Sequence, residues 1–162
     1  MKQLALLFGL LVTIILLASW LTKNSGSLLK TNITPSLPQV KIGEKVIPVE
    51  IADTNDKRQK GLSGRNSLGE NQGMLFALEQ NSIPAFWMKD MKFAIDMIWI
   101  DDGKVVDITK NVPVPAPKTK TEELIRYRPQ QPVDYVLEVN AGWVDQNNLQ
   151  TGIAVELPAQ LD

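Results

Sequence analysis

The chain has 162 residues, 17 basic and 18 acidic side chains giving a net charge of −1, and neither Cys nor His. The missing Cys excludes disulfides and thiolate nucleophiles, and the missing His excludes Ser-His-Asp triads and His-based zinc sites. The balanced charge offers no basic surplus for phosphate binding, so we predict no nucleic-acid partner. The sequence also indicates no metal and no other cofactor.

The N-terminal residues have the composition of a membrane segment. Residues 4–21 carry no charge, and a helix of that length would span roughly 27 Å, about one hydrocarbon core. A signal peptide has a similar layout, but the candidate cleavage site at residues 25–27 is poor. We therefore predict that residues 1–21 are a membrane anchor or a signal peptide, with residues 4–21 contacting the membrane. The domain would lie on the extracytoplasmic side of the cell membrane, or be secreted or periplasmic if the segment is cleaved.

The rest of the chain divides into a linker and one domain. Residues 22–38 hold Gly, Ser, Asn, Thr and Pro with few large apolar side chains, which is typical of a flexible tether. The folded domain is predicted to cover residues 39–162, a length that supports one hydrophobic core but not two.

The first predicted elements are a hairpin and a short helix. Residues 40–42 and 46–51 form the arms of the hairpin, and the second arm alternates apolar and polar residues as a half-buried strand does. Pro48 cannot donate to a sheet ladder, so this arm is predicted to lie at an edge. Asp53 is a candidate cap for a helix over residues 54–60.

Two short strands are predicted at residues 74–78 and 85–88. The hairpin that follows them has the strongest strand pattern in the chain. Residues 95–100 carry large apolar side chains on both faces, which is typical of a central strand or of a closed barrel. Asp102-Gly103 predicts a type I′ turn, and residues 104–109 return antiparallel.

The remaining elements are short and separated by a long loop. Residues 111–132 contain five prolines and no clear periodicity, so we predict a functional or flexible loop. Strands are predicted at residues 134–140 and 152–157, with a short helix or turn at residues 141–149. The whole pattern predicts a mostly β domain, a compact antiparallel β-barrel-like or folded-over sheet with one or two short helices, behind the N-terminal transmembrane helix or signal segment.

Several blocks along the domain resemble the signature motifs of the domain-of-unknown-function 192 family. They appear in order between residues 40 and 157, and one position departs from the pattern, since Ala94 stands where the motif's Phe-Pro pair has Pro. The resemblance implies a compact β-rich fold, often behind an export or anchor segment, and no established activity. The blocks are Gly61-Leu62-Ser63-Gly64-Arg65, Gly73-Met74-Leu75-Phe76, Phe86-Trp87-Met88-Lys89-Asp90-Met91, Asp96-Met97-Ile98-Trp99-Ile100-Asp101 and Tyr135-Val136-Leu137-Glu138-Val139-Asn140-Ala141-Gly142.

Trp87 and Lys89 share one face of a predicted short strand. Trp87 is able to stack on a sugar or another ring while Lys89 binds an anion. The alternative is an indole at the rim of the fold beside a lysine whose stem covers apolar surface.

Asp96 and Glu138 are carboxylates within apolar strands. A buried carboxylate needs an ionic partner or acquires a raised pKa, and Arg65 and Lys89 are the candidate partners of Asp96. Glu138, on a strand face with Asn140, would complete a carboxylate pair of the kind used in glycoside hydrolysis. The alternative is that Asp96 forms a structural ion pair and Glu138 lies at the surface.

These observations predict a binding site more strongly than a catalytic one. The ligand-binding candidates are Arg65, Trp87, Lys89, Asp96, Glu138 and Asn140, which we expect to converge on one concavity with the loop of residues 111–132 near its mouth. The leading hypothesis is a non-catalytic ligand-binding or accessory module at the cell envelope, with a small molecule or saccharide as ligand. The alternatives are a carboxylate-based hydrolase acting on an envelope saccharide and a structural subunit of a membrane complex.

Overall fold

The computed structural model describes Ser19 and residues 37–161. The predicted anchor, apart from Ser19, and nearly all of the predicted tether lie outside the described residues. Within the described part of the chain, the helices are too short or too polar to cross a membrane.

The domain is a seven-stranded sheet that curls into a half-barrel, with two short helices packed around it. The spatial order of the strands is β5-β4-β6-β3-β2-β1-β7, and every neighbouring pair is antiparallel except β2 and β3. The elements are β1 (Gln39–Ile42), β2 (Lys45–Ala52), α1 (Asn55–Lys60), β3 (Gly73–Ser82), β4 (Ile95–Asp101), β5 (Lys104–Val112), a 3-10 turn (Thr121–Glu123), β6 (Val133–Asn140), α2 (Trp143–Gln146) and β7 (Val155–Glu156).

The two end strands of the sheet, β7 and β5, approach each other. The Val155 amide of β7 donates to the Gly103 carbonyl in the turn before β5 at 2.8 Å, and the Val105 amide of β5 donates to the Ile153 carbonyl at 2.9 Å. These bonds satisfy backbone groups that an open edge would leave exposed. The predicted β-rich, barrel-like fold is therefore confirmed as a curled half-barrel.

Both faces of the sheet are apolar, because successive side chains of a strand point to opposite sides. We call one side the Leu137 face and the other the Trp99 face. The buried cluster on the Leu137 face includes Val49, Leu75, Ile98, Ile100 and Leu137. The buried cluster on the Trp99 face includes Met74, Phe76, Met97, Trp99 and Val136.

The predicted β4–β5 hairpin is confirmed. At its turn, Asp102 has φ +46° and Gly103 has φ +63°, the two positive angles that a type I′ turn requires. β4 lies between β5 and β6, but β5 is the last strand in the order, so the hairpin as a unit is not central.

Three local predictions were wrong. Pro48 does not mark an edge strand: β2 pairs with β1 through residue 48 and with β3 from residue 49, so the missing Pro48 N–H falls where the partner changes. Residues 85–88 form no strand, because Phe86 makes only an isolated bridge to Tyr127. The cap of α1 is also Thr54 rather than Asp53, since Thr54 Oγ1 accepts from the Lys57 amide at 3.3 Å.

Candidate functional site

A cavity of about 260 Å³ opens on the Trp99 face, between the C-terminal end of α1, strand β3 and the segment of residues 84–91. Most of its wall is apolar, and three charged residues lie among the residues that line it. The lining residues are Asn55, Arg58, Gln59, Lys60, Gly61, Leu62, Ser63, Phe76, Leu78, Pro84, Ala85, Phe86, Trp87, Met91 and Glu138.

Glu138 is the buried carboxyl group of this cavity. The residue is 5% exposed. Its cross-strand neighbours are Met74 on β3 and Met97 on β4, and both are apolar and buried. Within residues 37–161, its side chain makes neither a hydrogen bond nor an ion pair. Within residues 37–161 no fully buried side-chain oxygen or nitrogen lacks a partner, so the carboxyl oxygens of Glu138 face the cavity, where water or a ligand is able to bond to them.

Burial changes the protonation of this carboxyl group. Desolvation raises the pKa of Glu138 from 4.5 to about 8, because the charged form loses its hydration and gains no compensating partner. At neutral pH most molecules therefore carry a neutral Glu138. A neutral carboxyl group both donates and accepts a hydrogen bond, which is the chemistry that it presents to the cavity.

Two cations lie at the cavity beside α1, and they differ in their partners. Arg58 is fully engaged: it forms a 2.5 Å ion pair with Glu79 and also donates to the carbonyls of Asp53 and Ala77, each at 2.9 Å. Lys60 is exposed, and its ammonium group has no ionic or hydrogen-bonding partner in the described part of the chain, although its backbone carbonyl accepts from the Ser63 amide at 3.1 Å. The positive charge of Arg58 is thus neutralised locally, whereas that of Lys60 remains available.

Aromatic rings form the apolar wall next to Glu138. Phe86 packs edge-on against Phe76, with ring centroids 4.9 Å apart, and against Trp99, with centroids 5.6 Å apart. Gly61 permits the close approach of α1: its φ is +46°, and an added Cβ would lie 3.2 Å from the Phe76 ring. The packed rings make this wall rigid, so the cavity is a built feature of the fold.

The long loop between β5 and β6 holds the segment that carries Phe86 and Trp87. Phe86 and Tyr127 exchange two backbone hydrogen bonds of 2.8 and 2.9 Å. The Arg126 guanidinium lies 3.9 Å from the centroid of the Trp87 ring, a cation–π contact. The loop therefore lies close to the cavity. Its Arg126 already occupies one face of the Trp87 ring, so that face is not available to a ligand.

Asp96 is a structural residue on the other face of the sheet. In the register of β4 and β6, Asp96 lies opposite Val139, the neighbour of Glu138, so the two carboxyl groups point to opposite faces. Asp96 is fully buried and accepts the amides of Asn111 at 2.7 Å and Val144 at 3.0 Å. Its partners are thus backbone N–H groups that tie β5 and α2 to β4, rather than the expected Arg65 or Lys89.

Arg65 has a different carboxylate partner. It binds both oxygens of Glu50, at 2.5 and 2.7 Å, and this contact lowers the pKa of Glu50 and raises that of Arg65. Glu50 and Glu138 both lie opposite Met74 in the sheet, so their Cα atoms are about two strand spacings, or roughly 10 Å, apart. Neither member of the ion pair lines the cavity.

The two remaining candidates lie near the site without entering it. Asn140 is on the same face as Glu138, but its amide donates to the carbonyls of Leu68 and Gly69 at 3.2 and 2.9 Å. Lys89 is exposed, and its backbone carbonyl accepts from the Ser63 hydroxyl at 2.7 Å.

The predicted convergence of six residues is therefore only partial. Trp87 and Glu138 line the cavity, whereas Arg65, Lys89, Asp96 and Asn140 do not. Lys60 was not among the predicted site residues, and Phe76 and Phe86 were predicted only as parts of motifs. Among the described residues, no group of three acidic side chains is placed to hold a metal ion.

A second cavity, of about 300 Å³, lies between Met88 and the loop of residues 113–127. Among the described residues that line it, the one charged side chain is Glu123, which is exposed and accepts the Lys120 amide in the 3-10 turn. Unlike the first cavity, it presents no buried carboxyl group within the described part of the chain. The Glu138 cavity is thus the stronger candidate for a binding site.

Two solved structures are similar to this fold. One is a protein of unknown function from Novosphingobium aromaticivorans DSM 12444, with 26% identity, a TM-score of 0.65, and coverage of 73% of this chain and 83% of that one. The other, from Sinorhizobium meliloti 1021, is provisionally described as a transcription regulator, with 27% identity, a TM-score of 0.66, and coverage of 74% and 92%. A comparison with curated proteins finds no match. The model of domain of unknown function 192, described as "Uncharacterized ACR", matches residues 38–157, and the chain belongs to this family.

Proposed function

We propose that this domain is a non-catalytic binding module for a small, largely apolar or aromatic molecule that carries one hydrogen-bonding group. The ligand occupies the 260 Å³ cavity, with its apolar body against Phe76 and Phe86 and its polar group on Glu138. The observation that supports the proposal is the Glu138 carboxyl, 5% exposed and without a partner among residues 37–161, at the wall of an open cavity. A ligand that hydrogen-bonds to this carboxyl and packs its apolar body against the aromatic wall gains affinity from both contacts.

The chemistry of the cavity favours binding over hydrolysis. A two-carboxylate mechanism needs a second carboxyl group facing the same bond of the substrate. Glu138 is the only acidic residue lining this cavity in the described part of the chain, and Asp96 points to the other face of the sheet. One neutral carboxyl group positions a ligand without activating a nucleophile.

The same proposal places the module at the cell envelope, tethered through residues 4–21. The support is the uncharged stretch of 18 residues in the sequence, which has the length of a membrane span. The description of the Sinorhizobium meliloti relative raises transcription regulation as another role. A net charge of −1 gives this chain no basic surplus to support binding to nucleic acid.

Ligand-observed NMR with 4-ethylphenol tests the binding site. The probe has an apolar ring and one hydroxyl group, and a ligand of this size is expected to bind with roughly millimolar affinity. The variant Ala85→Trp fills the cavity and should abolish binding. The matched control Ala116→Trp fills the second cavity and should leave binding unchanged.

The variant Glu138→Met tests the polar anchor. It keeps the apolar wall and removes the hydrogen-bonding group, so binding of 4-ethylphenol should weaken by about fivefold or more. Equal binding by the wild type and by both Trp variants would show that the probe binds elsewhere and would refute the proposed site.

A further inference from the structure

The charged groups around the Glu138 cavity indicate which kind of ligand it accepts. The lining residues with ionisable side chains are Arg58, Lys60 and Glu138. Arg58 is neutralised by Glu79, 2.5 Å away. Glu138, buried without a partner in residues 37–161, is held in its uncharged form by desolvation. Lys60 is therefore the one lining residue in the described chain that contributes an unbalanced charge.

Lys60 and Glu138 differ in their exposure. Lys60 is exposed at the C-terminal end of α1, whereas Glu138 is 5% exposed on β6. The apolar side chains of Leu62, Phe76 and Phe86 line the same cavity. The lining thus combines an exposed cation, apolar side chains and a buried carboxyl group.

Resting on the binding function proposed above, we propose that the ligand is an amphiphilic organic anion. Its anionic group lies at the mouth beside Lys60, its apolar or aromatic body lies against Phe76 and Phe86, and a neutral hydroxyl or carbonyl group bonds to Glu138. A cationic ligand would meet the charge of Lys60 without a carboxylate to balance it. A purely apolar ligand would leave Glu138 without a partner.

Three probes of nearly the same shape test the charge preference. The probe 3-(4-hydroxyphenyl)propionate is anionic, 4-ethylphenol is neutral and tyramine is cationic, and all three carry the phenol hydroxyl group. Their affinities are measured on the full-length protein by ligand-observed NMR at low and at high salt. Lys60 is solvent-exposed, so each step from anion to neutral probe to cation should weaken binding by about two- to fivefold at low salt. High salt should reduce these differences.

The variant Lys60→Gln assigns the preference to its source. In this variant the three probes should bind within about a factor of two of one another. Lys45→Gln is the matched control: it makes the same change in net charge at an exposed lysine that does not line the cavity. It should keep the wild-type order of affinities.

The outcomes separate the two proposals. Tightest binding of the anion, lost in Lys60→Gln and kept in Lys45→Gln, supports the anion proposal. Binding of 4-ethylphenol with no charge preference, with tyramine preferred, or with a preference that survives Lys60→Gln, overturns the anion proposal and leaves the binding function standing. Failure of all three probes to bind the wild type overturns both.

Discussion

The burial of Glu138 without a protein partner makes the stability of the protein depend on pH. Replacing Glu138 by Gln should remove this dependence. The pKa of Glu138 is about 8 in the folded protein. In the unfolded chain, where the carboxyl group is exposed, it has the ordinary value of 4.5. Between these values the unfolded chain has lost this proton while the folded protein keeps it. The free energy of unfolding therefore falls as pH rises, by about 1.4 kcal/mol per pH unit for this group.

The variant Glu138→Gln isolates this contribution, because the amide has almost the same shape and no charge at any pH. We expect the free energy of unfolding of the wild type, relative to the variant, to be constant below 4.5 and to fall steadily up to about pH 8. The expected decrease is roughly 3 kcal/mol by pH 7 and on the order of 5 kcal/mol above pH 8.

Urea denaturation at a series of pH values measures the difference directly. Glu44→Gln is the control, since Glu44 is exposed and lies in the turn between β1 and β2. Because this substitution removes an exposed carboxyl group, it should not reproduce the decrease that Glu138 causes. A wild-type minus Glu138→Gln difference that does not change with pH would mean that Glu138 is hydrated or paired, and the reasoning behind the binding site would fail.

Three further predictions concern the fold. Residues 39–162 expressed alone should be soluble and melt cooperatively by circular dichroism, because the apolar clusters on both faces of the sheet lie within them; an insoluble or unfolded product would contradict this. Gly103→Val should lower the free energy of unfolding by about 1 kcal/mol or more, since position 103 has φ +63°; an unchanged melting curve would refute the turn. Asp96→Ala should cost roughly 2–4 kcal/mol because the amides of Asn111 and Val144 lose their acceptor; a loss below about 1 kcal/mol would show that water replaces the carboxylate.

Local signals in the sequence predicted the elements better than they predicted how the elements pair. Asp102-Gly103 and the apolar residues before it are contiguous, so the β4–β5 hairpin follows from turn chemistry and periodicity alone. The parallel pair of β2 and β3 has no such local signature. It depends on a connection through α1 and a loop, and the position of Pro48 between two pairing partners follows from that topology.

The candidate site shows the same limit. Asp96 shares a strand face with Ile98, and Glu138 shares one with Val136, so each pattern alone predicts a carboxyl group among apolar neighbours. Whether Asp96 and Glu138 point to the same face of the sheet depends on the register between β4 and β6. The pattern of a single strand carries no information about that register. A register in which Asp96 opposes Val139 separates the two groups by the full thickness of the sheet. Lys60 was not predicted as a site residue because the sequence does not show which lysines lack an ionic partner. Only the folded structure shows that its side chain lines the cavity without a carboxylate beside it in the described residues.

The two buried carboxyl groups show how a structural residue differs from a candidate for function. Asp96 accepts two backbone amides and stabilises the junction of three elements, so its burial is compensated within the fold. Glu138 has equally apolar neighbours but no protein partner in the described residues, and desolvation raises its pKa, so its burial favours the uncharged form. Its carboxyl opens onto a cavity, so it is free to bond to a molecule that enters there. That contrast, rather than the apolar character of the cavity, is the reason to search for a ligand there.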